Sequence, residues 1–241
     1  LSTAILGDTL FSVRWPSVLA GLLAVWFIYL ITRKIFENNE WAGLLAALLL
    51  AVNHIHIWIS RSSLMESTLI ALILLNIYIF LCLCCPPEGG LSMREKDRKK
   101  YWFLFGLTLG LAFLTKYTAA FLLPAYFIFL LVCRRNILKE KWLYFSAGLV
   151  TMLFSPVLIY NYNLYKLVGH FDLQFAYLFK QATPEWVASL GKVIDPFSDI
   201  FLNLFSMYSI PFIVLAILGI FYSIYRLAPS SRKDIGDVRS G

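Results

Sequence analysis

Charge is scarce in this chain. Only 15% of its 241 residues are Asp, Glu, Lys or Arg, whereas 60% are hydrophobic and 17% are aromatic. A soluble domain carries about a quarter charged residues, so this composition excludes an ordinary soluble domain. It is typical of a polytopic membrane protein, and it predicts an all-α bundle of transmembrane helices.

Cysteine is also rare, and the few cysteines do not form a recognisable metal site. Cys82, Cys84 and Cys85 are too closely spaced for one, and the fourth cysteine, Cys133, lies far from them in the sequence. His54 and His56 are two residues apart, so they do not share a helical face. We therefore predict no metal site from these residues. The cofactor stays unassigned, and a divalent cation remains open.

The basic residues exclude one further class of function. The chain has 21 basic and 14 acidic residues and a net charge of +7. Fifteen of the basic residues fall in four short segments, at 33–40, 86–100, 134–141 and 226–241. They lie between apolar stretches rather than along one surface, which argues against nucleic-acid binding. By the positive-inside rule, the side that carries these segments is predicted to be cytoplasmic.

Seven apolar segments are close to the roughly 20 residues that cross a bilayer. They are residues 16–36, 41–59, 64–85, 101–114, 117–133, 142–160 and 207–225. The fourth and fifth are predicted to be separate, because one helix of 33 residues would be about 50 Å long and would bury Lys116. Pro16 is predicted in a first helical turn, and Asn161 and Asn163 are predicted to cap the sixth helix.

The chain is predicted to have one transmembrane domain, residues 1–226, and a polar cytoplasmic tail, residues 227–241. Its longest loop, 161–206, is predicted on the outer face. Thr183-Pro184-Glu185-Trp186 is a helix-start signal within that loop. The signal predicts one or two short helices lying on the membrane surface. A loop packed on top of the bundle is the alternative.

Arg14, Arg61, Glu66 and Lys116 all fall at predicted outer helix ends. Ionisable groups next to membrane spans are costly, and they often serve a substrate, an ion or a lipid headgroup. Arginine suits a phosphate because its planar guanidinium donates two hydrogen bonds at once.

Each of these residues also has a simpler explanation. Arg61 could extend to the lipid headgroups, and Arg14 could anchor its helix at the interface. Ser63-x-x-Glu66 is a capping box that would explain the acid. Carbonyl groups at a helix break could satisfy Lys116.

Several motifs occur in a familiar order. Arg14-Trp15-Pro16-Ser17 opens a helix, Ile59-Ser60-Arg61 is followed five residues later by Glu66, and residues 110–117 read GLAFLTKY. Residues 29–36 and 42–47 fit the same pattern, as do Pro156, Asn161 and Gly169. Together, over residues 7–180, they resemble the GT-C membrane glycosyltransferases, in particular the superfamily of protein O-mannosyltransferases and aminoarabinose transferases.

The resemblance implies a transferase that takes a sugar from a polyprenyl-phosphate donor. Such enzymes act at the outer face, invert the anomeric centre and use a protein, lipid or glycan acceptor. Arg14, Arg61 and Lys116 would then bind the lipid phosphate, with Glu66 and Tyr117 in support.

The catalytic acid of these enzymes lies in the first outer loop. Asp8 is too close to the helix that carries Arg14 to match that position. The acid is therefore expected upstream of Leu1, in a chain that is incomplete at its amino terminus, and whether the chain as it stands is active is left open.

A second class of function stays open. The chain could be a non-catalytic membrane protein, either a transporter or a subunit that binds lipid phosphate. Transporters usually place polar groups near the bilayer midplane, whereas here they lie at helix ends on one predicted face, which favours an enzyme. In either case we predict a multi-pass protein, in a prokaryotic plasma membrane.

Overall fold

A computed structural model describes Gly7 and residues 9–62, 65–84, 95–172 and 175–176, with Val214, Ile217 and Leu218 beyond them. Residues 1–182 form one compact unit and residues 183–241 a second. All helices named below belong to the first unit. The predicted surface helices after Thr183, the cytoplasmic tail and most of the predicted span 207–225 lie outside the described residues.

Every regular element in the described part of the first unit is helical, as the composition predicts. In chain order the helices are α1 (Leu10–Ile35), α2 (Glu40–Ala51), α3 (His54–Arg61), α4 (Met65–Cys84), α5 (Glu95–Thr115), α6 (Leu122–Cys133) and α7 (Lys141–Val168). Short 3-10 turns occupy Tyr117–Phe121 and Arg135–Lys139. Within these ranges α1, α4 and α7 are long and apolar enough to cross a membrane, and the bent pair α2 and α3 could form a fourth span.

Helix α1 begins six residues before the predicted start at Pro16. Thr9 caps it: the Ser12 amide donates to Thr9 Oγ1 at 3.2 Å, and the Thr9 amide donates to Ser12 Oγ at 3.2 Å. This capping box satisfies amide groups that the first turn leaves without partners. Pro16 therefore lies inside the helix, and its predicted place in the first turn is wrong.

The predicted span 41–59 is two helices rather than one. Helices α2 and α3 meet at an angle of 61°. The turn at Val52 and Asn53 is stabilised because Asn53 Oδ1 accepts the amide of His56 at 3.0 Å, which starts α3 afresh.

The predicted separation at Lys116 is confirmed. Helix α5 ends at Thr115, and the chain then turns back, so that Tyr126 on α6 donates to Asn76 Oδ1 on α4 at 2.7 Å. Asn76 in turn donates to the Phe105 carbonyl on α5 at 2.9 Å. Three helices are thus joined by one buried amide, with α4 and α6 running opposite to α5.

Helix α7 runs parallel to α5 in close contact with it. A Cβ atom on Gly106 would lie 2.9 Å from the Ser146 carbonyl oxygen, and one on Gly110 would meet the Leu153 side chain. Ser146 Oγ also donates to the Trp102 carbonyl at 2.7 Å. Small residues four apart allow this approach of the two backbones.

The predicted end of the sixth helix at Tyr160 is wrong, because α7 continues to Val168. It ends at Gly169, whose φ of 80° is a left-handed conformation that glycine adopts without strain. Asn161 does not cap the helix. Its side chain donates to the Val157 carbonyl at 3.0 Å and accepts the Asp172 amide at 2.9 Å, and this second bond holds the chain that follows the helix.

The described charges divide between two ends of the bundle. At one, which we call the Arg14 end, Ser67 Oγ donates to the Ser17 carbonyl at 2.7 Å, so the starts of α1 and α4 lie together. At the other, the basic end, Arg33 and Lys34 on α1 share a cavity with Tyr78 on α4. Arg98 and the segment 134–141 also lie at the basic end, beside Leu83 and Cys84.

Candidate functional site

Arg14 and Arg61, 47 positions apart in the sequence, line the same cleft at the Arg14 end. The cleft has a volume of about 490 Å³ and is also lined by His54, Ile57, Trp58 and Ser62. A second, smaller cavity of about 300 Å³ is bounded by the same two arginines and by Leu10, Phe11, Trp15 and Val18. The structure therefore brings together two of the three cations that the sequence suggested for phosphate binding.

The bend at Asn53 is what places Arg61 beside α1. It directs α3 against the middle of α1, where His56 Nε2 lies 3.2 Å from the Gly21 carbonyl oxygen. Gly21 is required at this contact, since a Cβ atom there would overlap Ser60 Oγ. Arg61 follows Ser60 directly and ends α3, so its side chain reaches the cleft from a helix that is already fixed against α1.

The cleft combines positive charge with apolar walls. Among the described residues, no carboxylate pairs with Arg14 or Arg61. Two guanidinium groups without a carboxylate partner attract an anion, and the planar guanidinium fork pairs well with a phosphate or a carboxylate. Phe11, Trp15 and Trp58 are exposed next to them, as expected where a lipid chain or the membrane interface covers the surface.

Lys116 forms an ion pair with Glu66 at the same end of the bundle. Its Nζ lies 2.8 Å from Glu66 Oε1, and the two side chains are 29% and 34% exposed. The pair joins the start of α4 to the reversal after α5. Ser63 lies outside the described residues, so its capping box with Glu66 stays a prediction. Lys116 does not line the cleft of Arg14 and Arg61.

Tyr117 extends this arrangement towards the segment that follows α7. Its hydroxyl lies 3.4 Å from Asp172 Oδ2, and the Asp172 amide is held by Asn161. Glu66, Lys116, Tyr117 and Asp172 form what we call the Glu66 cluster. Sequence reasoning missed Asp172. The available signal was an acidic residue three positions after Gly169, the residue that ends the helix.

The described residues do not offer a ready set of metal ligands. None of their His, Cys, Asp and Glu side chains converge in a group of three or more that could hold a metal ion. Of the two histidines considered in the sequence, His54 lines the cleft and His56 contacts the α1 backbone. The side chains of Arg14 and Arg61 at this end are suited to binding an anion.

Comparison with known proteins relates the chain to one family and to two curated relatives. The profile of the family described as dolichyl-phosphate-mannose-protein mannosyltransferase matches residues 1–160. YycA of Bacillus subtilis (strain 168), a candidate mannosyltransferase, is 32% identical over 139 residues, which are 57% of this chain and 18% of YycA. No solved structure matches the chain.

A second relative comes from Proteus mirabilis (strain HI4320). It is undecaprenyl phosphate-alpha-4-amino-4-deoxy-L-arabinose arabinosyl transferase 2, which is 27% identical over 124 residues, 52% of this chain and 21% of that protein. The chain thus spans about a fifth of the length of these curated relatives. Because the family profile covers about two thirds of its residues, the chain belongs to the dolichyl-phosphate-mannose-protein mannosyltransferase family.

Proposed function

We propose that the chain is the membrane-embedded part of a glycosyltransferase that takes its sugar from a polyprenyl-phosphate donor. The observation that carries this proposal is the cleft in which Arg14 and Arg61 meet without a carboxylate partner among the described residues. Membership of the family supports it, as do a relative named for mannosyl transfer and one named for an undecaprenyl-phosphate sugar. A mannose-like hexose is the sugar we propose.

In this proposal the two arginines act on the leaving group. When the bond between the sugar and the phosphate breaks, negative charge develops on the lipid phosphate. Guanidinium groups fixed at that position stabilise the charge as it forms, which lowers the barrier. The prenyl chain leaves the cleft over Phe11, Trp15 and Trp58. Attack of the acceptor from the opposite side of the sugar would invert the anomeric centre.

The Glu66 cluster has a supporting role in the proposal. Lys116 adds a cation at the same end, held in place by Glu66, and Tyr117 follows it directly. Glu66 is not proposed as the base, because Lys116 neutralises its carboxylate. The base that deprotonates the acceptor hydroxyl is assigned to none of the residues of this chain.

We also propose that all seven apolar segments cross the membrane, with the Arg14 end outside a prokaryotic plasma membrane. The excess of Lys and Arg at the basic end supports this orientation. The reversal after Thr115 supports counting α5 and α6 as separate crossings. A protein, lipid or glycan acceptor would then be met on the outer face.

Binding of undecaprenyl phosphate to the purified protein in nanodiscs tests the site. We expect Arg14→Ala and Arg61→Ala each to weaken binding by about 10- to 100-fold, since a charge-assisted hydrogen bond contributes about 1.5–3 kcal/mol. Lys166→Ala is the matched control: Lys166 is an exposed cation in the last turn of α7 and does not line the cleft, so binding should be unchanged.

Equal binding by all three variants and the unchanged protein would overturn the proposed site. An assay of sugar transfer in native membranes that contain the protein distinguishes a glycosyltransferase from a non-catalytic membrane protein. Transfer that is lost with Arg61→Ala supports the enzyme. Binding without any transfer would instead identify a subunit that holds lipid phosphate.

A further inference from the structure

The basic end contains a second cleft, far from the one that holds Arg14. It has a volume of about 380 Å³ and lies where the ends of α4 and α6 meet the start of α5 and the 3-10 turn before α7. Arg98, Arg134, Arg135 and Glu140 supply its charged lining. Nothing in the proposed transfer reaction uses these residues.

The carboxylate in this cleft is fully engaged. Arg98 donates to both oxygens of Glu140, with its Nε 2.8 Å from Oε2, and Trp102 Nε1 donates to the same oxygen at 3.1 Å. The charges of Arg98 and Glu140 therefore cancel. The net positive charge of the cleft comes from Arg134 and Arg135.

Both of these arginines are available to a ligand. Both are exposed, on the 3-10 turn Arg135–Lys139 and the residue before it. The Arg135 Nε donates to the Leu131 carbonyl at 2.6 Å, which orients the guanidinium and leaves its terminal nitrogens for another acceptor. Within the described ranges, no acidic side chain pairs with Arg134.

An apolar groove begins about one helical turn from this cleft. It has a volume of about 290 Å³ and lies between α6 and α7, over Phe105 and Leu109 of α5. Leu130 is one turn before Arg134, and Leu138 follows Ile137 of the cleft. Leu143 is one turn after Glu140. The groove then continues along α7 through Ala147, Val150 and Thr151.

We propose that this cleft and groove together bind one anionic diacyl phospholipid. Its phosphate would contact Arg134 and Arg135, and an acyl chain would lie along the groove between α6 and α7. Complementary charge selects this occupant: an apolar helix would leave the two arginines unpaired, and a free phosphate would leave the groove unfilled. Basic pockets between transmembrane helices are suited to anionic headgroups for this reason.

Native mass spectrometry of the full chain, extracted from vesicles of equal parts phosphatidylglycerol and phosphatidylcholine, tests this site. We expect the protein to retain phosphatidylglycerol preferentially. Arg134→Ala combined with Arg135→Ala should reduce that preference about tenfold or more, because each arginine near the surface contributes substantially to binding an anionic lipid. Lys96→Ala with Lys139→Ala removes the same charge from exposed positions outside the cleft and should leave the preference intact.

Ala147→Phe tests the groove without changing any charge. Ala147 lines the groove and is exposed, so a phenyl ring should occupy the path of the acyl chain and reduce retention of the lipid.

Equal retention of both lipids by the unchanged protein would overturn the proposal. An equal loss of lipid preference in both double variants would also overturn it, because the preference would then depend on surface charge in general. Displacement of the lipid by glycerol phosphate alone would show that only the phosphate is recognised. Far-ultraviolet circular dichroism confirms that each variant is folded.

Discussion

Glu66 and Lys116 show how single residues keep charge at the end of an apolar bundle. Each side chain is about two thirds buried. The 2.8 Å contact between them compensates for much of the hydration energy that each loses on burial. Tyr117, the next residue, has its hydroxyl 3.4 Å from Asp172 Oδ2. The ion pair and this second contact are therefore adjacent along the chain within the Glu66 cluster.

A double-mutant cycle measures this contact. We expect Lys116→Met and Glu66→Gln each to lower the thermal stability of the protein in detergent. The two changes together should cost about 1 kcal/mol less than the sum of the single changes, because the first mutation has already broken the ion pair. An additive result would show that the ion pair contributes nothing to stability. The exchanged pair, Glu66→Lys with Lys116→Glu, should recover part of the loss.

The close contact between the helices α5 and α7 depends on two glycines of α5, which have no side chains to hold the helices apart. Gly106 lies against the backbone of Ser146, whereas Gly110 lies against the flexible side chain of Leu153. Backbone cannot move aside without separating the helices, but a leucine can change rotamer. The two glycines should therefore respond differently to the same substitution.

We expect Gly106→Ala to destabilise the protein by about 1–3 kcal/mol, since overpacking at this contact forces the helices apart. Gly110→Ala should cost less. Gly148→Ala is the matched control: this glycine is also inside a helix, in α7, but nothing lies within 4 Å of the added methyl group, so stability should be unchanged or slightly raised. Thermal unfolding of the three variants under one set of conditions gives the order, and equal effects at 106 and 148 would contradict the close contact.

Much of the helical arrangement could be predicted from hydrophobicity, but its breaks could not. The reversal at Lys116 follows from length and charge, because one helix through it would exceed the bilayer and would bury a lysine. The bend at Asn53 lies inside a predicted apolar span, and no proline or glycine close to Asn53 marks it. Hydrophobicity does not register a side chain that caps a new helix. For the same reason Asn161, read as a cap, could not be distinguished from a residue inside α7 that bonds to the chain beyond it.

The candidate site was predictable only in part. Charge distribution places Arg14 and Arg61 at one end of the bundle, but their shared cleft depends on the bend at Asn53. The partner of Lys116 depends on the register between α4 and α5, which packing decides. Asp172 enters the site through a hydrogen bond from its backbone to Asn161, a contact that residue types do not reveal.

The separation of charge between the two ends is a property of the whole molecule, and it gives the bundle a direction. Arg14, Arg61, Glu66 and Lys116 occupy one end, and the described members of the larger basic set occupy the other. In the topology proposed above, the two faces of the membrane therefore meet different chemistry.

Cysteine labelling in intact cells tests the orientation. In a variant with the four native cysteines replaced by serine, we expect Ser62→Cys to react with a membrane-impermeant maleimide. Lys139→Cys should react only after the membrane is permeabilised, because it lies at the basic end. Reaction of both in intact cells would contradict opposite placement. The reverse pattern would place the Arg14 end in the cytoplasm.

Three hydrogen-bonded contacts between distant parts of the chain have one spacing in common. Ser17 to Ser67, Glu66 to Lys116 and Asn76 to Tyr126 each join residues 50 positions apart. Ribosomes add about 5–20 residues per second, so the second member of each pair is synthesised roughly 2.5–10 seconds after the first. During that interval Glu66 and Asn76 are already made and lack these partners. Biosynthesis of this protein therefore includes a period before the later partners are synthesised. During it, these polar groups must contact the insertion machinery or remain near water.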